Sequence, residues 1–188
     1  MKMSSNNAMV LALTGLVIAS SQMANADAVC PSDIVKPFVG KWQGKALLVS
    51  AQDAQQQSGT RAEFVILDCQ SFGATFNYLD GAGKVVRTVT FKAAIDPQEA
   101  GSFAILDGTV TDGSGVTEMT GSFRQIQEGT LLGTFFGSIG GKPAYMTELM
   151  NVTQPQGGPS HLVRTVQMFD SRGGNYLASR IVNDTQVQ

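Results

Sequence analysis

Residues 144–183 read AYMTELMNVTQPQGGPSHLVRTVQMFDSRGGNYLASRIVN, three alternating apolar runs parted by two glycine-rich loops. In the first run Ala144, Met146, Met150 and Val152 share one parity, and Glu148 interrupts them. In the second, Leu162, Val166 and Met168 surround Arg164; in the third, Tyr176, Ala178 and Val182 surround Arg180. A period of two is the pattern of strands with one buried face. Ser171-Arg172-Gly173-Gly174 supplies the positive-φ residues of a tight hairpin, so these runs predict neighbouring antiparallel strands.

The same rhythm extends back towards the N-terminus. Short segments rich in Val, Ile, Phe, Thr and Leu fall at 41–49, 61–68, 73–79, 84–94, 102–106, 109–111, 116–124 and 130–138. Further strands are expected at 144–152, 160–170 and 175–183. Residues 51–59, with their glutamine run, read as a loop, and Pro31 to Phe38 as a short helical turn. No segment sustains a 3.6-residue apolar period, so crossover helices and a parallel sheet are not expected. Closing a meander of about ten strands removes its exposed edges. The expected fold is all-β: a single antiparallel up-and-down barrel over residues 27–188, preceded by a helical turn.

The start of the chain has a separate role. Lys2, the apolar run Ala8 to Ala19 and the small-x-small pattern Ala24-Asn25-Ala26 predict a cleavable signal peptide over residues 1–26. A dozen apolar residues fall short of the roughly 20 that span a bilayer, so no transmembrane anchor is expected. The destination is the periplasm or the exterior. There, the only two cysteines, Cys30 and Cys69, are expected to form a disulfide. Two thiols and the lone His161 do not suffice for a tetrahedral zinc site. Without Lys2, the chain carries 12 basic and 15 acidic side chains and no basic stripe, which argues against nucleic acid as partner. Asn151 and Asn183 head glycosylation acceptor patterns, relevant only in a eukaryotic secretory path.

At Phe38-Val39-Gly40-Lys41-Trp42-Gln43-Gly44 the chain resembles the opening of calycin-type barrels: lipocalins and the lipocalin-like domains of exported bacterial proteins of unknown function. The matching motif is Gly40-x-Trp42. The resemblance implies that Trp42 packs at the closed barrel end beneath a late-strand arginine, for which Arg180 is the fitting position. Haem-binding nitrobindin-type barrels open similarly but need a proximal histidine on a late strand. His161 stands at the beginning of the penultimate strand, so no cofactor is expected.

Glu148, Arg164 and Arg180 each interrupt an apolar face. With the loop 153–159 centred on residue 156 and a turn centred on Arg172, they fall opposite one another as one inward row about 5 Å apart. Such a row offers two readings. A guanidinium left partly unpaired by a single carboxylate would anchor an anionic head group, with Arg87 and Tyr176 joining the lining. Alternatively, the charges satisfy one another, and Phe64, Phe76, Phe91, Phe135, Phe136 and methionines fill the lumen. In a dry, unliganded row, Glu148→Gln is expected to cost several kcal/mol by leaving two arginines face to face. No serine–histidine–aspartate relay or phosphate loop is legible, because His161 adjoins a glycine-rich loop and the glycine pairs sit at hairpins. The expected function is therefore non-enzymatic binding of a small lipophilic molecule, anionic if the arginines anchor it. The alternative is a structural or protein-interaction barrel without ligand.

Overall fold

A computed structural model describes residues 30–52, 54–139 and 141–187. The expected signal peptide lies outside them. A 3-10 helix, Pro31–Phe38, precedes eleven strands: β1 (Gly40–Ser50), β2 (Gln55–Asp68), β3 (Ser71–Leu79), β4 (Val85–Ile95), β5 (Ser102–Asp112) and β6 (Gly115–Glu118). The rest are β7 (Thr120–Gln127), β8 (Thr130–Ile139), β9 (Lys142–Thr153), β10 (His161–Asp170) and β11 (Tyr176–Val187). All pairings are antiparallel. β1 joins β11 and β4 joins β5, which closes the sheet; β6 and β7 share one position beside β5, giving a ten-strand barrel.

Antiparallel order sorts the connections to two ends. The turns after β1, β3, β5, β8 and β10 gather at one, the hairpin end. The 3-10 helix covers the other. Its Val35 and Phe38 are fully buried, Ser32 N–H donates to the Cys69 carbonyl at 3.1 Å, and Cys30 is disulfide-bonded to Cys69. Trp42 lies beneath, its indole N–H donating to the Phe38 carbonyl at 2.8 Å. From there Phe64, Phe72, Phe103 and Phe123 fill the lumen, with Phe72 centroids 5.2 Å from Phe103 and 6.0 Å from Phe123.

The structure corrects four sequence expectations. Gln55–Gly59, read as loop, belongs to β2 and pairs with Val49–Lys45 of β1: ladder bonds override the weak strand propensity of glutamine and glycine. The two short segments 102–106 and 109–111 are one strand, β5. Asp107-Gly108 carries a turn signature, but Gly108 is used for close approach. A Cβ there would lie 2.4 Å from the Met119 carbonyl oxygen, and Met119 N–H donates to the Gly108 carbonyl at 2.8 Å. That contact breaks the expected strand 116–124 into β6 and β7. Finally, Phe136 does not fill the lumen; it is 54% exposed on the outer face, because its neighbour Phe135 takes the inward parity.

Candidate functional site

Inward parity holds for Glu148, Arg164 and Arg180, but their register differs from the expected row by two residues. Val166 faces both Glu148 and Arg180, while Arg164 faces Met150 and Val182. The loop between β9 and β10 is centred on Gly157 rather than on residue 156, the turn between β10 and β11 on Gly173 rather than on Arg172, and each residue of centring moves the partner by two. A shift of two keeps every side chain on its face. It places Arg164 deeper than the other two and diagonal to them.

That depth gives Arg164 a partner absent from the expected row. Arg164 is 1% exposed. Its Nη1 donates to Glu148 Oε1 at 3.2 Å, and its Nη2 lies 3.9 Å from Asp184 Oδ2. Its guanidinium also stacks on Phe76, 4.0 Å from the ring centroid. Asp184 is 1% exposed and accepts a hydrogen bond from Thr60 Oγ1. Gly44 makes room for it, since a Cβ at 44 would meet the Asn183 carbonyl oxygen at 1.9 Å and Asp184 Oδ1 at 2.7 Å. Asp184 was legible in principle: it continues the parity of Ala178, Arg180 and Val182, but the expected strand stopped at residue 183.

Two carboxylates thus share one buried guanidinium. Burial pushes the Glu148 carboxyl up, against the opposing pull of Arg164 and Arg180. Burial likewise raises Asp184 against the pull of Arg164. Among the described residues, Arg164 Nε and Nη2 and Asp184 Oδ2 find no hydrogen-bond partner. The Arg164–Asp184 contact is therefore an attraction between charges without a hydrogen bond.

Further charged side chains line the same lumen. Arg180 stacks on Tyr78, 4.1 Å from the ring centroid. It does not cover Trp42: Trp42 pairs with Gln186 and Arg180 with Leu48, six residues or roughly 20 Å along the strand. Arg87 also faces inward, with Asp112 Oδ2 at 3.8 Å from its Nη1. Burial, followed by the charge of Arg180, holds the Arg87 pKa below its ordinary value. For Tyr78, burial favours the neutral phenol, but the nearby Arg164 and Arg180 cations outweigh it and lower the pKa. Among the described residues, Arg180 makes no ion pair within 4 Å.

These side chains border a cavity of about 40 Å³, room for about three waters. Phe76, Tyr78, Arg87, Glu148, Arg164 and Arg180 line it, with Met119, Met146 and Met168. Tyr176 does not. A bulge between Met168 and Phe169 pairs Phe169 with Tyr176 and turns the tyrosine outward, where its hydroxyl donates to Ser179 Oγ at 2.8 Å. His161 is exposed, with Nδ1 3.4 Å from Thr185 Oγ1.

No family model and no curated protein matches the chain. Solved structures do match. Rv2717c from M. tuberculosis superposes with TM-score 0.64 at 12% identity, over 84% of this chain and 98% of that one. An S-type phycobiliprotein lyase from Guillardia theta gives 0.57 at 11% identity, over 84% and 92%. A DUF3598-family protein of unknown function from Nostoc punctiforme gives 0.56 at 13% identity, over 81% of this chain and 49% of that one. At these identities the likeness is one of fold, and it fits a lipocalin-like barrel.

Proposed function

We propose that this protein is an exported, non-enzymatic barrel that holds the anionic head group of a small lipophilic molecule between Arg87 and Arg180. The observation that carries this reading is Arg180 itself, a guanidinium that lines the cavity together with Arg87 and, among the described residues, has no carboxylate within 4 Å. A carboxylate or phosphate at that point relieves the repulsion and forms charge-assisted hydrogen bonds with a guanidinium. Arg164 is already met by the carboxylates of Glu148 and Asp184, and these three side chains serve as the floor of the site. A cavity of about 40 Å³ admits a head group only, whereas whole small-molecule sites occupy about 300 Å³ or more. The tail is accommodated by movement of Met119, Met146 and Met168, whose unbranched thioethers repack at low cost.

Solvent extraction followed by mass spectrometry is expected to recover an anionic amphiphile. In titrations, dodecanoate should bind and dodecanol should not, and Arg180→Met should weaken dodecanoate binding by about tenfold or more. An empty extract together with no binding of either probe favours the second reading, a filled structural barrel. That reading has its own support in the continuous packing of Phe72, Phe91, Phe123 and Phe135. The export component rests on the leader and on the disulfide. Intact mass of the secreted protein is expected to begin at Asp27; a chain retaining Met1 counts against export.

A further inference from the structure

Three carboxylates lie against the guanidiniums of the lumen cavity. Arg87 on β4, Arg164 on β10 and Arg180 on β11 all line that cavity. Arg164 Nη1 is 3.2 Å from Glu148 Oε1 and its Nη2 3.9 Å from Asp184 Oδ2, while Arg87 Nη1 is 3.8 Å from Asp112 Oδ2. With every one of these six groups ionised, the cluster is neutral as a whole. Among the described residues, the remaining ionisable side chain lining the cavity is Tyr78 of β3. On the other side of β9, β8 opposes Glu148 with Gly133 and adds no charge.

The three carboxylates are not equivalent. Asp112 accepts from the Ser114 hydroxyl at 2.6 Å and the Ser114 N–H at 2.9 Å, bonds that hold its pKa below the ordinary value. Asp184 accepts from the Thr60 hydroxyl and is not among the residues that border the cavity. Glu148 alone of the three lines it, buried on β9, where burial favours the neutral acid. An anion entering a neutral, buried cluster adds an uncompensated charge, which is costly in low dielectric. We infer that the site takes its anion together with a proton, and that Glu148 is the group that carries the proton. The inference rests on the reading of this cavity as a head-group site. A proton from solvent adds to the Glu148 carboxylate, whose O–H then donates to a carboxylate or phosphate oxygen of the ligand, while Arg164 keeps Asp184 as its counter-charge. Because binding takes up a proton, acid favours uptake and rising pH favours release.

Titration calorimetry with dodecanoate, run in two buffers of different ionisation enthalpy, counts the protons taken up. Between about pH 6 and about pH 9 the uptake should pass through a maximum approaching one proton per ligand, and affinity should fall by up to about tenfold per pH unit there. Glu148→Gln, whose amide keeps a donor but does not titrate, should bind dodecanoate without proton uptake and with an affinity independent of pH. Should that variant not fold, infrared difference spectra of the wild type give the same answer. Dodecanoate labelled with carbon-13 at its carboxyl has its own band displaced, so a new protonated-carboxyl band at the unlabelled position belongs to the protein. Dodecanoate binding with no proton uptake across this range overturns the inference and leaves the head-group reading standing. Uptake that survives in a folded Glu148→Gln, or an infrared band that moves with the label, puts the proton elsewhere and overturns it too. No dodecanoate binding at any of these pH values overturns the head-group reading and this inference with it.

Discussion

Arg164→Met should destabilise the protein by about 3–5 kcal/mol near neutral pH, a fall in melting temperature on the order of 10 °C. The stem of the side chain is preserved, so packing changes little. What is lost is the one cation between Glu148 and Asp184, both buried and both carrying pKa values already raised by burial. Breaking a buried ion pair by removing one partner leaves an uncompensated charge, here two. Glu148→Gln should cost far less, about 1 kcal/mol. The several kcal/mol expected from the sequence assumed two arginines left facing each other, whereas Arg164 retains Asp184.

The sign of the pH dependence follows from the same two acids. A carboxyl whose folded pKa is raised binds its proton more tightly in the native state. The resulting stability is fully present below the ordinary carboxylate range and is lost as pH rises through the raised values. Urea unfolding at about pH 4 and about pH 8 is therefore expected to show the Arg164→Met penalty shrinking at the acid end, where neutral acids no longer need the guanidinium. A penalty equal at both pH values would mean that the triad is not charged in the folded protein.

Loss of the disulfide is the second large effect. Cys30 and Cys69 are 39 residues apart, and in the chain-entropy picture a loop of that length corresponds to about 4 kcal/mol. The bridge also holds the 3-10 helix over its end of the barrel, where Phe38 supplies the carbonyl that accepts the Trp42 indole N–H. Cys69→Ser is expected to lower the melting temperature by about 8–15 °C, and reductant should lower the wild type by a similar amount while leaving the variant unchanged. Equal melting of the wild type with and without reductant would make the bridge energetically idle.

How far the sequence was legible differs by feature. Strand existence, hairpin order, closure and the Cys30–Cys69 pairing follow from period-two patterning, turn residues and cysteine count, all local or compositional signals. The inward aim of Glu148, Arg164 and Arg180 follows too, because their apolar neighbours share their parity and a one-residue slip would expose the whole set. Asp184 was missed for want of a strand boundary, and Tyr176 was misplaced by a bulge that no local motif announces.

The sequence by itself thus determined an all-β barrel with charges in its lumen, since the side-chain period of a strand is a property of the chain alone. Tertiary structure decided the register. Centring of the β9–β10 loop on Gly157 rather than residue 156, and of the β10–β11 turn on Gly173 rather than Arg172, moved partners by two residues, converting an expected row into a triad of Glu148, Arg164 and Asp184, with Arg180 outside any ion pair among the described residues. It also placed Arg180 on Tyr78 rather than Trp42. The physical reason is that parity is fixed by each strand separately, whereas which charges meet depends on the summed ladder bonds and packing of strands far apart in sequence.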